Sequence, residues 1–232
     1  MKILGIDTTT KFLCIGIYDD AGIPRGPKIY EYNLEVSRGL SVLLAQTIKR
    51  ILDALRWRVS DIDYFACGLG PGSFTGIRLG LAAIKGLSWP VNKPVIGIPT
   101  LDILARNAAG VDKLVIPAID AKRNLIYCSV YKNKDGMARR LKPYMLLSPE
   151  EFLKCAKPGS IILGDAVGLY KEDILRNIKG AGILDKDHWY PKARHIIELS
   201  LERIKERQFD SPLDIKPIYL YPKECQINKR KV

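Results

Sequence analysis

The residues best placed to do chemistry lie in the stretch CGLGPGSFTGIRLGLAAIKGLSW, Cys67 to Trp89, where a glycine-rich turn carrying Ser73 and Thr75 runs into an apolar helix-like segment charged only at Arg78 and Lys85. Gly68, Gly70, Gly72 and Gly76 permit tight turns and close backbone approach, and Ser73 or Thr75 can cap the helix that follows. Free amides at such a helix start also suit a phosphate. The stretch has no lysine followed by Ser or Thr at the Walker position, and its glycines do not space as GxGxxG. Nor is it a GxSxG nucleophile elbow, because Phe74 and Thr75 separate Ser73 from Gly76. The turn therefore reads as architecture first and chemistry second.

The other candidates are thin. Asp7 and Asp120 each end an apolar run beside a polar turn, where a carboxylate can orient a metal-bound phosphate or simply hold the amides of its own turn. His188 and His195, seven residues apart across Pro191, cannot grip a metal from one helix face. Cys14, Cys67, Cys128, Cys155 and Cys225 are scattered and form no CxxC pair, which disfavours a disulfide framework or structural zinc and fits a reducing compartment. No complete set of acid, base and nucleophile is visible, and no metal site is expected.

The elements that must position these residues follow from periodicity. KILGIDTTTKFLCIGIYDDAG predicts a hairpin, with strands to Ile6 and from Phe12 to Tyr18. A second segment, VIPAIDAKRNLIYCSVYKNKDG, repeats it at an offset of 113 residues, Ile6 and Asp7 falling on Ile119 and Asp120 and Tyr18 on Tyr131. Two copies imply a duplicated domain. Between them, Leu40, Leu43, Leu44, Ile48, Ile51, Leu52 and Leu55 mark an amphipathic helix with Ser37 as its expected cap. The run from Gly76 to Leu87 is apolar almost all round, so it must be covered on more than one side. Gly76 and Gly80, one turn apart, open a groove for a close-packed helix, either within the lobe or from another subunit. Strands at KPVIGIPT and SIILGDA, and helices at LDILARNAA, after Ser148 from Pro149, and at ARHIIELSLERIKER, complete two α/β lobes, 1–108 and 109–232.

At 232 residues and 47% hydrophobic content the chain can bury a substantial core, and a formal charge of +12 suits a polyanionic partner or a well-solvated lysine-rich surface. The N-terminal apolar run is too short for a signal peptide and no segment approaches the ~20 residues of a membrane span, so a cytoplasmic protein is expected.

Four blocks, ILGIDTTT, GLGPGSFTGIRLGLAAIKGL, PAIDAKRNLIYCSVY and PIYLYP, together resemble the TsaB (YeaZ) family, the bacterial subunit needed for threonylcarbamoyladenosine at transfer RNA position 37. The resemblance spans nearly the whole chain in order, and the block from Gly70 to Arg78 is its most specific part. It implies a duplicated actin-like ATPase (RNase H-like) fold, agreeing with the repeated hairpin, whose final segment from about 217 returns to the first lobe. It implies a non-catalytic chain that supports a TsaD transferase paralogue, alongside a TsaE-like ATPase, with tRNA in the assembled complex and a homodimer when alone. ATP and a metal then belong to the partner subunits. Asp7, Thr8, Thr9, Gly70, Gly72, Ser73 and Thr75 become a vestigial nucleotide-related turn, and Leu40, Leu43, Leu44, Gly76, Arg78, Gly80 and Ile84 the expected partner interface. The paralogue's metal-binding HxxxH pair has no counterpart in SRGLSVLLAQ. Two departures are Tyr221, where many members carry arginine, and the basic tail NKRKV. The rival functions are an autonomous ATP-dependent transferase or kinase of the same superfold, and a glycoprotease.

Overall fold

A computed structural model of the chain describes residues 1–20, 26–134 and 137–221. The first sheet comprises β1 (Lys2–Asp7), β2 (Phe12–Asp19), β3 (Lys28–Glu35), β4 (Tyr64–Gly68) and β5 (Val95–Ile98), in the order β3-β2-β1-β4-β5. β2 runs antiparallel to β1 and β3, whereas β4 and β5 run parallel to β1. Parallel neighbours need crossovers, and the helices α1 (Leu40–Leu55) and α2 (Phe74–Ser88) supply them, followed by α3 (Thr100–Ala105).

The second half continues with β6 (Leu114–Lys122), β7 (Leu125–Cys128), β8 (Tyr131–Lys134), β9 (Met137–Arg140), β10 (Met145–Leu147), α4 (Pro149–Cys155), β11 (Ile161–Leu163), α5 (Val167–Asn177), β12 (Gly182–Ile183) and α6 (Ala193–Lys205). Its sheet has the order β10-β7-β6-β11-β12. The strand directions repeat as well: β6, β7 and β10 are antiparallel neighbours, and β11 and β12 lie parallel to β6. The duplicated hairpin is thus the front of a duplicated sheet.

Several expectations change in detail. Ser37 does not cap α1; the helix begins after Gly39, whose φ of 75° sets the entry without a side-chain cap. Ser148 does cap α4, in a reciprocal capping box with Glu151. The return strand of the second hairpin breaks at Ser129 and Val130, and beyond the break β8 crosses to pair with the start of β6 and carries β9 on its outer side. Neither β3, β9, β12 nor α5 is marked in the sequence by clear periodicity; β3 is an almost wholly exposed edge strand, and α5 leaves helical geometry at Tyr170.

The helices exchange partners between the sheets. α6 lies on the first sheet, burying Ala193, Ile196 and Ile197 against Ile3, Cys14 and Ala66. It approaches so closely that a Cβ on Gly16 would stand 2.7 Å from the Ala193 carbonyl oxygen. α3 buries Leu101, Leu104 and Ala105 with Val115, Ile119 and Tyr131 of the second half. The return to the first sheet therefore begins at Ala193, well before residue 217, and continues through a bridge from Val95 to Asp210 and burial of Ile215.

A polar clasp joins the two halves. The Asp102 carboxylate accepts the hydroxyls of Tyr131 at 2.6 Å and Tyr144 at 2.9 Å, and buried Arg106 donates to both carboxylate oxygens of Glu202 on α6 at 2.5 Å. Burial and the neighbouring Asp102 charge hold both tyrosines far above their usual range, so they remain donors at any working pH. Removing the acceptor strands two hydroxyls, and Asp102→Ala should lower stability by roughly 2–4 kcal/mol in urea unfolding, with Tyr144→Phe costing about 1.

Candidate functional site: a sealed turn, an interlobe cleft and a helical groove

β4 ends at Gly68, and the chain passes through the cis Gly70–Pro71 peptide into α2. Ser73 is the N-cap, its hydroxyl accepting the Gly76 amide at 3.2 Å. The turn is seated on the first hairpin: the Ser73 amide donates to the Thr9 carbonyl at 2.7 Å, and the Thr8 hydroxyl donates to the Gly76 carbonyl at 2.7 Å. Side chains cannot intervene here. A Cβ on Gly72 or Gly76 would run into the carbonyl oxygens of Thr9 and Thr8, and one on Gly80 would lie 2.5 Å from the Thr8 hydroxyl oxygen.

This seating buries the hairpin turn under the start of α2, at one end of the interlobe cleft that Thr9, Gly72, Ser73 and Thr75 border. Asp7, Thr8 and Thr9 are at most 1% exposed. Asp7 Oδ1 accepts the Thr9 amide at 2.9 Å and the Thr9 hydroxyl at 2.8 Å, while Oδ2 faces Gly68 without a hydrogen-bond partner. Burial lifts its pKa to about 6. A covered carboxylate and covered threonines do not fit a phosphate-bound metal. Gly70, Gly72 and Ser73 are used to build the seat, and Thr75 is exposed beside it.

Between the halves lies a cleft of about 1050 Å³, walled by Lys11, Arg38 and Ser73 on one side and by Asp120, Arg123 and Asp165 on the other. Asp120 is already engaged, pairing with the Lys122 ammonium at 2.6 Å and accepting the Lys122 amide at 2.8 Å. Asp165 accepts the Asp120 amide at 2.8 Å, and its burial raises its pKa. At the cleft mouth the Arg78 guanidinium lies 3.6 Å from the Phe74 ring centroid and donates to the Tyr219 hydroxyl at 3.1 Å. Tyr221 donates from the far side to the carbonyls of Ala121 and Lys122.

A second concavity, about 630 Å³, runs between α1 and α2 and is lined by Ala45, Ile48, Leu52, Ala82, Ala83 and Gly86. It lies beside the residues expected at the interface and takes in Leu44 from among them. Gly76, Gly80 and Ile84 form the inward stripe of α2 and are buried on their own sheet, Leu44 is buried in the first core and also lines this groove as Ile48 and Leu52 do, and Arg78 packs against the cleft-lining Phe74 and Tyr219. Leu40 and Leu43 are half-buried against that same core. The groove's own small residues, Ala82 and Gly86, repeat the four-residue spacing of Gly76 and Gly80 on the opposite face of the helix. That second stripe was legible in the sequence; which one faced inward was not.

The remaining candidates stay apart from both concavities. His188 pairs with Asp185 at 2.6 Å across a short 3-10 turn, and His195 pairs with Glu198 on α6 at 2.8 Å. Cys14, Cys67, Cys128 and Cys155 are free thiols, the first three buried, and burial raises the pKa of each of those three. Among the described residues no three His, Cys, Asp or Glu side chains are placed to hold a metal, and no helix is long and apolar enough to cross a membrane. Cys225 and the basic tail with Lys229, Arg230 and Lys231 lie outside the described residues.

Two sheets with matching five-strand paths, exchanged covering helices and a cleft between them define a two-lobed α/β protein. Residues 34–177 match the family model for TsaD, tRNA N6-adenosine threonylcarbamoyltransferase. The chain is 30% identical over 181 residues to the tRNA threonylcarbamoyladenosine biosynthesis protein TsaB of Bacillus subtilis, covering 75% of this chain and 77% of that one. It is 25% identical to TsaB of Escherichia coli, over 95% and 94% of the two chains. The solved YeaZ of Pseudomonas aeruginosa superposes with a TM-score of 0.79 at 23% identity, over 94% of this chain and 99% of that one. The chain belongs to the TsaB family of tRNA threonylcarbamoyladenosine biosynthesis proteins, within the wider TsaD domain family.

The raised pKa of Asp7 fixes a pH dependence. The folded state binds its proton more tightly than the unfolded chain, so this group's contribution to stability is greatest below the unfolded value of 3.8 and falls as pH rises toward about 6. The full swing is on the order of 3 kcal/mol. Asp7→Asn should therefore be more stable than the parent by about 1–3 kcal/mol at pH 7.5, with the advantage shrinking as pH falls below about 6 and vanishing only below the unfolded value of 3.8 in urea titrations. An advantage that is absent at pH 7.5, or independent of pH, contradicts the assignment.

Proposed function

We propose that the chain is a non-catalytic subunit of the threonylcarbamoyladenosine machinery, binding a TsaD-like transferase paralogue through the α1–α2 groove. The observation that carries this reading is a reversal of what is open and what is closed. The turn of Asp7, Thr8 and Thr9 is filled by the chain's own α2 start, whereas the groove between α1 and α2 is apolar, lined by small residues and uncovered. Small residues let a partner helix come close, and an uncovered apolar groove favours burial against one. A TsaE-like ATPase and tRNA join the assembled complex, with ATP and metal held by those partners, in the cytoplasm. Without its partner the chain uses the same face to form a homodimer. An autonomous transferase or kinase would need the first turn open to phosphate, and a glycoprotease would need a nucleophile or metal set.

Ala82→Glu combined with Gly86→Glu places two charges in the groove while touching neither the sheet nor the seat of α2. The double variant should keep its native circular dichroism, lose at least 100-fold in affinity for the paralogue through desolvation of unpaired carboxylates, and fail to restore modified adenosine in depleted cells. Wild-type affinity in a folded double variant places the partner elsewhere. The isolated chain should also hydrolyse ATP no faster than its Asp7→Ala variant; turnover that vanishes on that substitution would favour the autonomous enzyme.

A further inference from the structure

Among the described residues β9 is an open edge of the second sheet, paired with β8 alone. Arg139 and Arg140 are exposed on it and, being consecutive in a strand, flank that edge from its two faces. Arg139 stands directly opposite Lys132, and Arg140 opposite Tyr131. Like charges across a strand pair are unfavourable for folding, and only Lys132 is compensated, by Asp112 at 2.7 Å. On the other face the Arg140 guanidinium lies 4.1 Å from the Tyr144 ring centroid, and Arg203 of α6 acts on the same tyrosine. Lys113 adjoins the hairpin through its carbonyl, which accepts the Asn133 amide. Among the described residues, Asp102 is committed to the two tyrosines and Glu202 to Arg106. Neither Arg139, Arg140 nor Arg203 makes an ion pair among the described residues.

We propose that this edge, with Arg139 and Arg140 as its centre and Lys113, Lys132 and Arg203 beside them, is a docking surface for the phosphodiester backbone of RNA. Guanidinium groups match phosphate oxygens in paired geometry, and two arginines on either side of an edge straddle a strand of phosphates that a flat acidic protein face would not reach together. The choice of RNA over an acidic protein rests on the proposed role in tRNA modification. The surface is remote in sequence from the tail beyond residue 221 and makes no demand on the α1–α2 groove.

The test uses the full chain and a fluorescent, unmodified tRNA transcript, with anisotropy followed from 50 to 300 mM KCl. Each lost phosphate contact lowers the slope of log affinity against log salt by about 0.7–0.9, so Arg139→Ala with Arg140→Ala should reduce it by about 1.5 and weaken binding about tenfold at 100 mM salt. Arg139→Lys with Arg140→Lys should keep most of the slope, and Lys171→Ala with Lys179→Ala, an equal change of charge on α5 and in the turn after it, should alter it much less. An unchanged slope, or no binding by the parent at 50 mM KCl, overturns the proposal. So does a double variant that aggregates but binds tRNA normally, which would make the arginines guards of an open strand edge. Equal displacement of the tRNA by polyglutamate of matching charge would assign the surface to an acidic protein. Co-purification with the transferase paralogue, measured on the same variant, reads the proposed subunit role separately.

Discussion

The close approach of two backbones, the Thr8–Thr9 turn and the start of α2, is the contact on which the rest of the molecule depends. No side chain fits between them at Gly72 or Gly76, and three hydrogen bonds tie the two turns and the following strand end together, the third from the Thr100 amide to the Gly70 carbonyl. The contact sets the height and tilt of α2 over the first sheet. It thereby decides that Gly80 and Ile84 face inward, that Ala82 and Gly86 face the groove, and that Phe74 and Arg78 stand at the cleft mouth. One local constraint of backbone against backbone thus divides a helix that is apolar on most sides into a packed face and an available one.

The two halves share strand order and direction but treat the equivalent turn differently. In the first, the aspartate is buried beneath a glycine-rich helix start. In the second, Asp120 borders the cleft, Lys122, Arg123 and Asn124 all adopt positive φ, and the turn is held from its sides by Tyr221 and by Tyr170, which donates to Asn124. Beyond the end of β11 at Leu163, Gly164, whose φ of 112° and contact with Ala118 leave no room for a side chain, brings Asp165 onto the Asp120 amide. Duplication has preserved the sheet, whose register is set by buried alternation along whole strands, while the turns have been free to diverge.

How much could be read from the sequence follows the same division. Hairpins, the stripe of α1, the cap at Ser148 and the buried strand β11 declare themselves through local signals: alternation, helical spacing, a hydroxyl before a proline and a continuous apolar run. β3 and β9 lacked such signals because both are exposed edges, held by ladder bonds more than by burial. The exchange of α3 and α6 between the sheets was not readable either, since a helix shows which face it buries but not against which sheet. At the site, Ser73 as cap and the architectural role of the turn were legible. The orientation of the two small-residue stripes on α2 was not, because glycine and alanine are compatible with an inner or an outer surface and only the Thr8 contact distinguishes them.

Asp7 shows how one buried carboxylate can order a fold. Its buried carboxylate is costly when charged, and one oxygen has no partner. The other oxygen holds both the amide and the hydroxyl of Thr9, and the Thr9 carbonyl in turn receives the Ser73 amide that starts α2. The Thr9 hydroxyl also accepts from Thr100 at the head of α3, the helix that crosses to the second sheet. A single carboxylate oxygen therefore orders the first turn, the helix that shapes the groove, and the helix that carries the interlobe clasp. The strain at one oxygen is offset by the geometry the other imposes, which makes Asp7 a positioning group for the whole molecule.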